Sequence, residues 1–144
     1  MTHDELIERA VRWLRRSCHC KLVTTYSGAY GEQPDAIGWR HREGSHLVEC
    51  KVSQSDFHED LRKPWRWRRG LGLFRWYMTP PGLLRNCKLP ACWGLIEVHS
   101  RQVRVIRRAR QVPLGWWDYQ AELWYLVKLS LAKDWKYKQA LQAI

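Results

Sequence analysis

No stretch of this chain approaches the ~18 uninterrupted apolar residues of a membrane span, so a helical membrane protein is excluded. The first ten residues, MTHDELIERA, are polar and acidic. They lack the apolar core of a secretory signal, and a soluble, cytoplasmic protein is expected. Cysteine is present but without pattern, at positions 18, 20, 50, 87 and 92. An odd number with no paired spacing argues against a secreted disulfide framework. Cys18, His19 and Cys20 taken with Cys87 and Cys92 match none of the usual tetrahedral zinc spacings. Internal repeats and low-complexity segments are also missing. Acid is in short supply: 14 Asp+Glu stand against 25 Lys+Arg, a formal net charge of +11. That deficit favours a polyanionic partner, of which nucleic acid is the commonest.

What is present is enough for one domain. The 144 residues are 45% hydrophobic and 27% charged, a globular balance sufficient for a single core but not for two. Ten tryptophans stand out, because Trp fills cores and also stacks on bases or packs under Arg.

Thr2 followed three residues later by Glu5 is a capping box. The apolar residues Leu6, Ile7, Ala10, Trp13 and Leu14 then recur at helical spacing, with Arg15 and Arg16 suiting the C-terminal end. The spacing predicts a helix over 3–16. Strands are expected at 21–26 (KLVTTY), 34–39 (PDAIGW) and 46–52 (HLVECKV), with a mobile loop at 27–33 and a turn at 41–45. A second helix starts near Ser53–Asp56, carries Phe57 and Leu61, and is kinked or ended by Pro64. A strand at 73–78 follows, then a hairpin of 93–98 and 102–106 around His99–Arg101. Tyr119, Leu123, Leu126, Val127, Leu131 and Trp135 trace one face of a long C-terminal helix, about 117–143. Core packing is the ordinary use of such a stripe, and a homodimer is the alternative. The whole is a single α/β domain: a core over about 3–110, with an added β-hairpin and C-terminal helix.

The segment HLVECKV raises the functional question. In a strand, Val48, Cys50 and Val52 point one way, and Glu49 and Lys51 the other. A solvated, salt-bridged strand face is one explanation for two charges in an apolar run. The upstream strand supplies another, since it too carries a single acid, Asp35. If the two strands pair through 41–45, Asp35 and Glu49 converge. Two carboxylates beside a lysine suit Mg²⁺, which prefers oxygen ligands and keeps positions for water and phosphate. His3, His41, His46, His58 and His99 show no triad or ligand spacing and are read as surface or packing residues.

Pro34-Asp35 followed by Glu49-Cys50-Lys51 on the next apolar strand resembles the PD-(D/E)XK nuclease superfamily. The resemblance implies a restriction-endonuclease-like αβββαβ core and a DNA endonuclease dependent on Mg²⁺, with Mn²⁺ able to substitute. It implies that Asp35, Glu49 and the backbone carbonyl of Cys50 hold the metal. Lys51 would orient or deprotonate the attacking water and stabilise charge on the phosphate, and Glu5 would be an additional acid from the first helix. The segments 53–57, 62–66 and 89–95 are similar to small bacterial and phage nucleases of this superfamily, some linked to DNA repair. Ser27-Gly28 ahead of Pro34-Asp35 resembles archaeal Holliday-junction resolvases, which implies Ser27 near the DNA. A non-catalytic DNA-binding protein of the same fold is the alternative.

Residues 62–70, RKPWRWRRG, crowd basic residues around two tryptophans. With Glu59 and Asp60 the nearest acids, Arg62, Lys63, Trp65, Arg66, Arg68 and Arg69 are expected to track DNA phosphates. A solvated helix end with its tryptophans turned inward is the other reading. Arg101, Arg104, Arg107, Arg108 and Arg110 form a second basic stretch on the hairpin.

Overall fold

The computed structural model describes residues 1–25 and 32–142, the side chains of Trp65 and of residues 133–142 excepted. Ser27 and most of the expected 27–33 loop lie outside the described residues, as do the side chains of Trp65 and Trp135. Six strands form one mixed sheet in the order β1-β2-β3-β4-β5-β6. These are β1 (Leu22–Thr24), β2 (Ala36–Arg40), β3 (Gly44–Cys50), β4 (Phe74–Thr79), β5 (Gly94–Val98) and β6 (Val103–Arg107). Three α-helices accompany them, α1 (His3–Arg16), α2 (Gln54–Asp60) and α3 (Tyr119–Gln142). The expected α/β class is therefore observed. No described helix is long and apolar enough to cross a membrane.

α1 has the bounds its capping signal implies. The Thr2 side chain accepts from Glu5 N and the Glu5 carboxylate accepts from Thr2 N, relieving two orphan donors of the first turn. Its inward face, Leu6, Ala10, Trp13 and Leu14, packs against Val48, Cys50, Trp76, Met78 and Ile96 to form one core. The opposite sheet face is equally apolar. There Ile37, Leu47, Tyr77 and Leu95 meet Phe57 of α2, Trp93 and Tyr125 of α3. Both sheet faces are thus covered, which parallel strands require.

β1, β2 and β3 are successive antiparallel neighbours, and β2 turns into β3 through a tight connection. Arg42 and Gly44 take left-handed φ values there, 68° and 111°. β3, β4 and β5 run parallel, so their carboxyl ends lie together at one end of the sheet. Open α/β sheets bind ligands at that end. Gly94 of β5 sits under the Trp76 ring, and a Cβ there would meet that ring and the Ala109 backbone nitrogen at 2.6 Å. Gly94→Ala should therefore cost about 1–3 kcal/mol through overpacking, read as a lower denaturant midpoint with an unchanged slope.

Two expectations need correcting. Val52 lies beyond the end of β3 and is 38% exposed, so it does not anchor the strand in the core. The apolar stripe of α3 does not pack on the sheet either: Tyr119, Leu123, Val127 and Leu131 are exposed, together with Trp124. The helix docks instead through Tyr125, Leu129 and the buried carboxylate of Glu122. That carboxylate accepts from Trp39 Nε1, Ser45 Oγ, the Gly72 amide and Trp117 Nε1. A carboxylate with this many donors is stable inside, and the face it shares with Tyr125 and Leu129 is the one turned to the sheet.

Candidate metal centre and its buried charge network

The β2–β3 register pairs Ala36 with Val48. Asp35 immediately precedes that last ladder pair, and its charge helps raise the Glu49 carboxyl, so the two carboxylates are neighbours. Lys51 is two residues on from Glu49, beyond the end of the strand and on the same face. The structure therefore brings Asp35, Glu49 and Lys51 together at the carboxyl end of the parallel strands. Asp35 Oδ2 accepts from the Cys50 amide at 2.8 Å. The amide and carbonyl of one strand residue leave on the same side, so the Cys50 carbonyl also faces the Asp35 side. Its thiol points into the α1 core.

The face bearing Glu49 and Lys51 is not solvent. Glu49 is 4% and Lys51 7% exposed, because this is the face covered by α2 and α3. Their partners come from further along the chain. Lys51 Nζ donates to Asp60 Oδ1 at 3.2 Å. Arg66 donates through Nε and Nη2 to the two Asp60 oxygens at 2.6 and 3.0 Å, and through Nη1 to Glu32 Oε2 at 2.7 Å. Tyr77, which is in register with Glu49 on β4, donates its hydroxyl to Asp60 Oδ2 at 2.9 Å. Glu32 also accepts from the Leu71 amide. Arg66 lies over the Trp93 ring, 5.3 Å from its centroid.

Arg66 Nη2 lies 3.0 Å from Glu49 Oε1. It is off the line that a hydrogen bond needs, and Oε1 is left buried without one. Burial, with Asp35 and Asp60 as like-charged neighbours, pushes the Glu49 carboxyl up to about 8 against the pull of Arg66 and Lys51. Asp60 responds the other way. Burial would raise it, but the hydrogen bond and charge of Arg66, then Lys51 and Tyr77, hold it well below the usual carboxylate range. Burial works against the Arg66 charge as well, yet Glu49, Asp60 and Glu32 raise its pKa and keep it charged. Burial raises Glu32.

Arg66, expected to meet DNA, is corrected by these contacts. It is 1% exposed and bound among three carboxylates, so it is the hub of the interior network and offers nothing to a phosphate. Arg62, Lys63, Arg68 and Arg69 are exposed. Lys63 reaches Asp60 at 3.4 Å and Arg69 reaches Asp118 at 3.5 Å, acids that proximity in sequence identified only in part. Glu5 is exposed and engaged in the α1 cap. The α1 side chain that meets Asp35 is His3, with Nε2 3.3 Å from Oδ2.

Sequence reasoning also missed Glu32, Asp60 and Tyr77. Their signal was weak: Asp60 stands nine residues after Lys51 and Tyr77 lies in an apolar strand, and neither spacing implies contact before the parallel register is known.

Among the described residues no group of three or more His, Cys, Asp and Glu side chains is arranged to hold a metal ion. The fit is of a sparser kind. Arg66 takes Glu49 from the interior, whereas Asp35, with its side chain 20% exposed, flanks it from the rim. Two neighbouring carboxylates, one with a buried oxygen lacking a hydrogen bond, and a nearby carbonyl make an all-oxygen donor set. Mg²⁺ is commonly held this way, by one or two carboxylates with water and substrate phosphate completing the shell.

No protein-family model matches this chain, and no curated protein matches it. One solved structure does, that of the SPO1766 protein of unknown function from Silicibacter pomeroyi. The two share 20% sequence identity with a TM-score of 0.64, over 99% of this chain and 92% of that one. The likeness supports the fold over nearly the whole length, including α3, and carries no activity with it.

Proposed function

We propose that this chain is a divalent-metal-dependent nuclease that hydrolyses phosphodiester bonds in DNA, built on a restriction-endonuclease-like core. What supports the reading is Asp35, held by the Cys50 amide, as a charged neighbour of Glu49, with Lys51 two residues on and Glu49 Oε1 buried without a hydrogen bond. The element order α1-β1-β2-β3-α2-β4 is the αβββαβ order of such a core.

Asp35, Glu49 and the Cys50 carbonyl would hold Mg²⁺, or Mn²⁺ in its place. The ion would supply a polarised phosphoryl oxygen and a bound water of lowered pKa. The chain's own part is positioning. The Cys50 amide fixes Asp35, and Arg66 holds Glu49 from behind. Asp60, itself fixed by Arg66 and Tyr77, holds the Lys51 ammonium beside Glu49. Lys51 there offers positive charge to a phosphate as negative charge develops on it.

A second reading keeps the fold and the DNA contact without cleavage. The 3.0 Å approach of Arg66 to Glu49 favours it, because a guanidinium already stands where added positive charge is needed.

Metal-dependent melting separates the two. On the nuclease reading, millimolar Mg²⁺ or Mn²⁺ at pH 8.5 raises Tm by several degrees, since a ligand bound at ~100 times its Kd adds about 2.7 kcal/mol. The shift disappears in Asp35→Ala and in Glu49→Gln, and wild-type cleavage of labelled DNA stops in excess EDTA. A Tm indifferent to the ions, with DNA bound but uncut, is the result expected of the second reading.

A further inference from the structure

Among the described residues, α1 carries a row of arginines without partners. Arg9, Arg12 and Arg16 lie at i, i+3 and i+7, one row along the helix. They line a groove between α1 and the turn joining β5 to β6, where Arg101 and Gln102 form the far wall. On the other side of the same row, Arg12, Arg15 and Arg16 line a second groove with Thr25 after β1, and Glu8 is the acid there. Arg12 and Arg16 belong to both. Among the described residues, none of these five guanidinium groups has an ion-pair or hydrogen-bond partner. Crowded like charges raise the energy of the folded chain, and a polyanion relieves it.

We infer that the row Arg9–Arg12–Arg16, with Arg101 across the groove, is the seat of a nucleic-acid phosphate backbone. This rests on the proposed nucleic-acid substrate and names the surface that grips it. Position supports it. α1 begins at His3, which touches Asp35. With ~1.5 Å of rise per residue, Arg9 lies about 9 Å from His3 along the axis and Arg16 about 20 Å. A backbone held on this row therefore leads to the candidate metal centre.

An anionic membrane is the competing polyanion, and the face does not suit it. Interfacial helices pair their basic side with exposed apolar anchors. Here Ile7 and Val11 are packed against the core. The exposed apolar stripe belongs to α3, which packs on the other face of the sheet.

The test is fluorescence anisotropy of a labelled 20-base-pair duplex with the full chain in EDTA, where cleavage does not intervene, from 50 to 250 mM salt. Each phosphate contact contributes about 0.9 to the slope of log K against log salt. The triple variant R12A/R16A/R101A should lower that slope by about two to three and weaken binding at least about tenfold at 100 mM salt. All three residues are exposed, so its melting curve should match wild type. The single charge reversal R12E should weaken binding in the same direction. R62A/R68A/R69A should leave the slope unchanged.

A slope unmoved by the α1 triple, or lowered by the 62–69 triple instead, overturns the inference. So does loss of binding to phosphatidylserine vesicles with duplex binding intact. Arg-dependent binding without cleavage in Mg²⁺ leaves the groove standing and removes the nuclease. Cleavage with an unmoved slope does the reverse.

Discussion

Glu49→Gln should reduce DNA cleavage by at least about 10²–10³-fold while leaving the protein more stable than wild type in alkaline buffer. The two effects have one cause. Glu49 titrates at about 8 in the folded chain, pushed up by burial and by Asp35 and Asp60, against about 4.3 when unfolded. The folded state thus binds the extra proton between these values, and stability falls as pH rises through that window. Gln imitates the protonated carboxyl and does not titrate. The variant should therefore match wild type near pH 4 and gain on it steadily up to about pH 8, after which the difference is constant. The gain follows from linkage alone and is read as a Tm above that of wild type at pH 8.5 and equal to it near pH 4. Arg66 keeps Asp60 and Glu32 in the variant, so the loss of activity does not come from collapse of the network. A Glu49→Gln variant that is less stable than wild type at pH 9 would mean the residue serves only the fold.

Arg66→Ala should have the largest effect on stability. Removing the guanidinium strands Asp60, Glu32 and Glu49 in the interior and leaves a void against Trp93. Breaking a buried pair from one side costs about 3–5 kcal/mol, a large share of the ~5–15 kcal/mol that holds a domain together. The variant should unfold at a markedly lower urea midpoint or fail to fold at 37 °C. Arg68→Ala and Arg69→Ala, five residues or fewer away in sequence but exposed, should stay within about 0.5 kcal/mol of wild type. If Arg66→Ala behaved as they do, the hub would be without energetic weight. The acid side of the pH curve belongs to Asp60. Its folded pKa is depressed, so the stability it contributes is complete above about pH 4 and is lost as pH falls further, through the protonation of a group that Arg66, Lys51 and Tyr77 hold ionised.

Local signals were legible in the sequence wherever the partners are local. The Thr2–Glu5 capping box sets the start of α1, and the alternation in HLVECKV places Val48 and Cys50 on one face and Glu49 and Lys51 on the other. Asp35 and Glu49 meet because the short turn between β2 and β3 leaves only a tight antiparallel register. What alternation does not say is whether the second face is wet. Glu49 and Lys51 are buried because α2, Trp93 and α3 cover them, and nothing within the strand signals a cover that comes from later in the chain. Arg66 was misplaced for the same reason: in a run of basic residues one side chain turns inward, and only the buried Asp60 and Glu32 identify which. In α3 the apolar stripe pointed to one face, but the helix docks through Tyr125, Leu129 and Glu122, whose buried carboxylate meets its donors there.

The most direct measurement is cleavage of end-labelled DNA, offered as single-stranded, duplex, nicked and branched forms. Wild type is set beside Asp35→Ala and Glu49→Gln, each in Mg²⁺, Mn²⁺ and EDTA. Wild-type cutting of at least one form with either ion, absent in EDTA and in both variants, is the expected result. No cutting of any form by wild type, or cutting that survives EDTA or the loss of both carboxylates, would contradict a metal-dependent nuclease centred on Asp35 and Glu49.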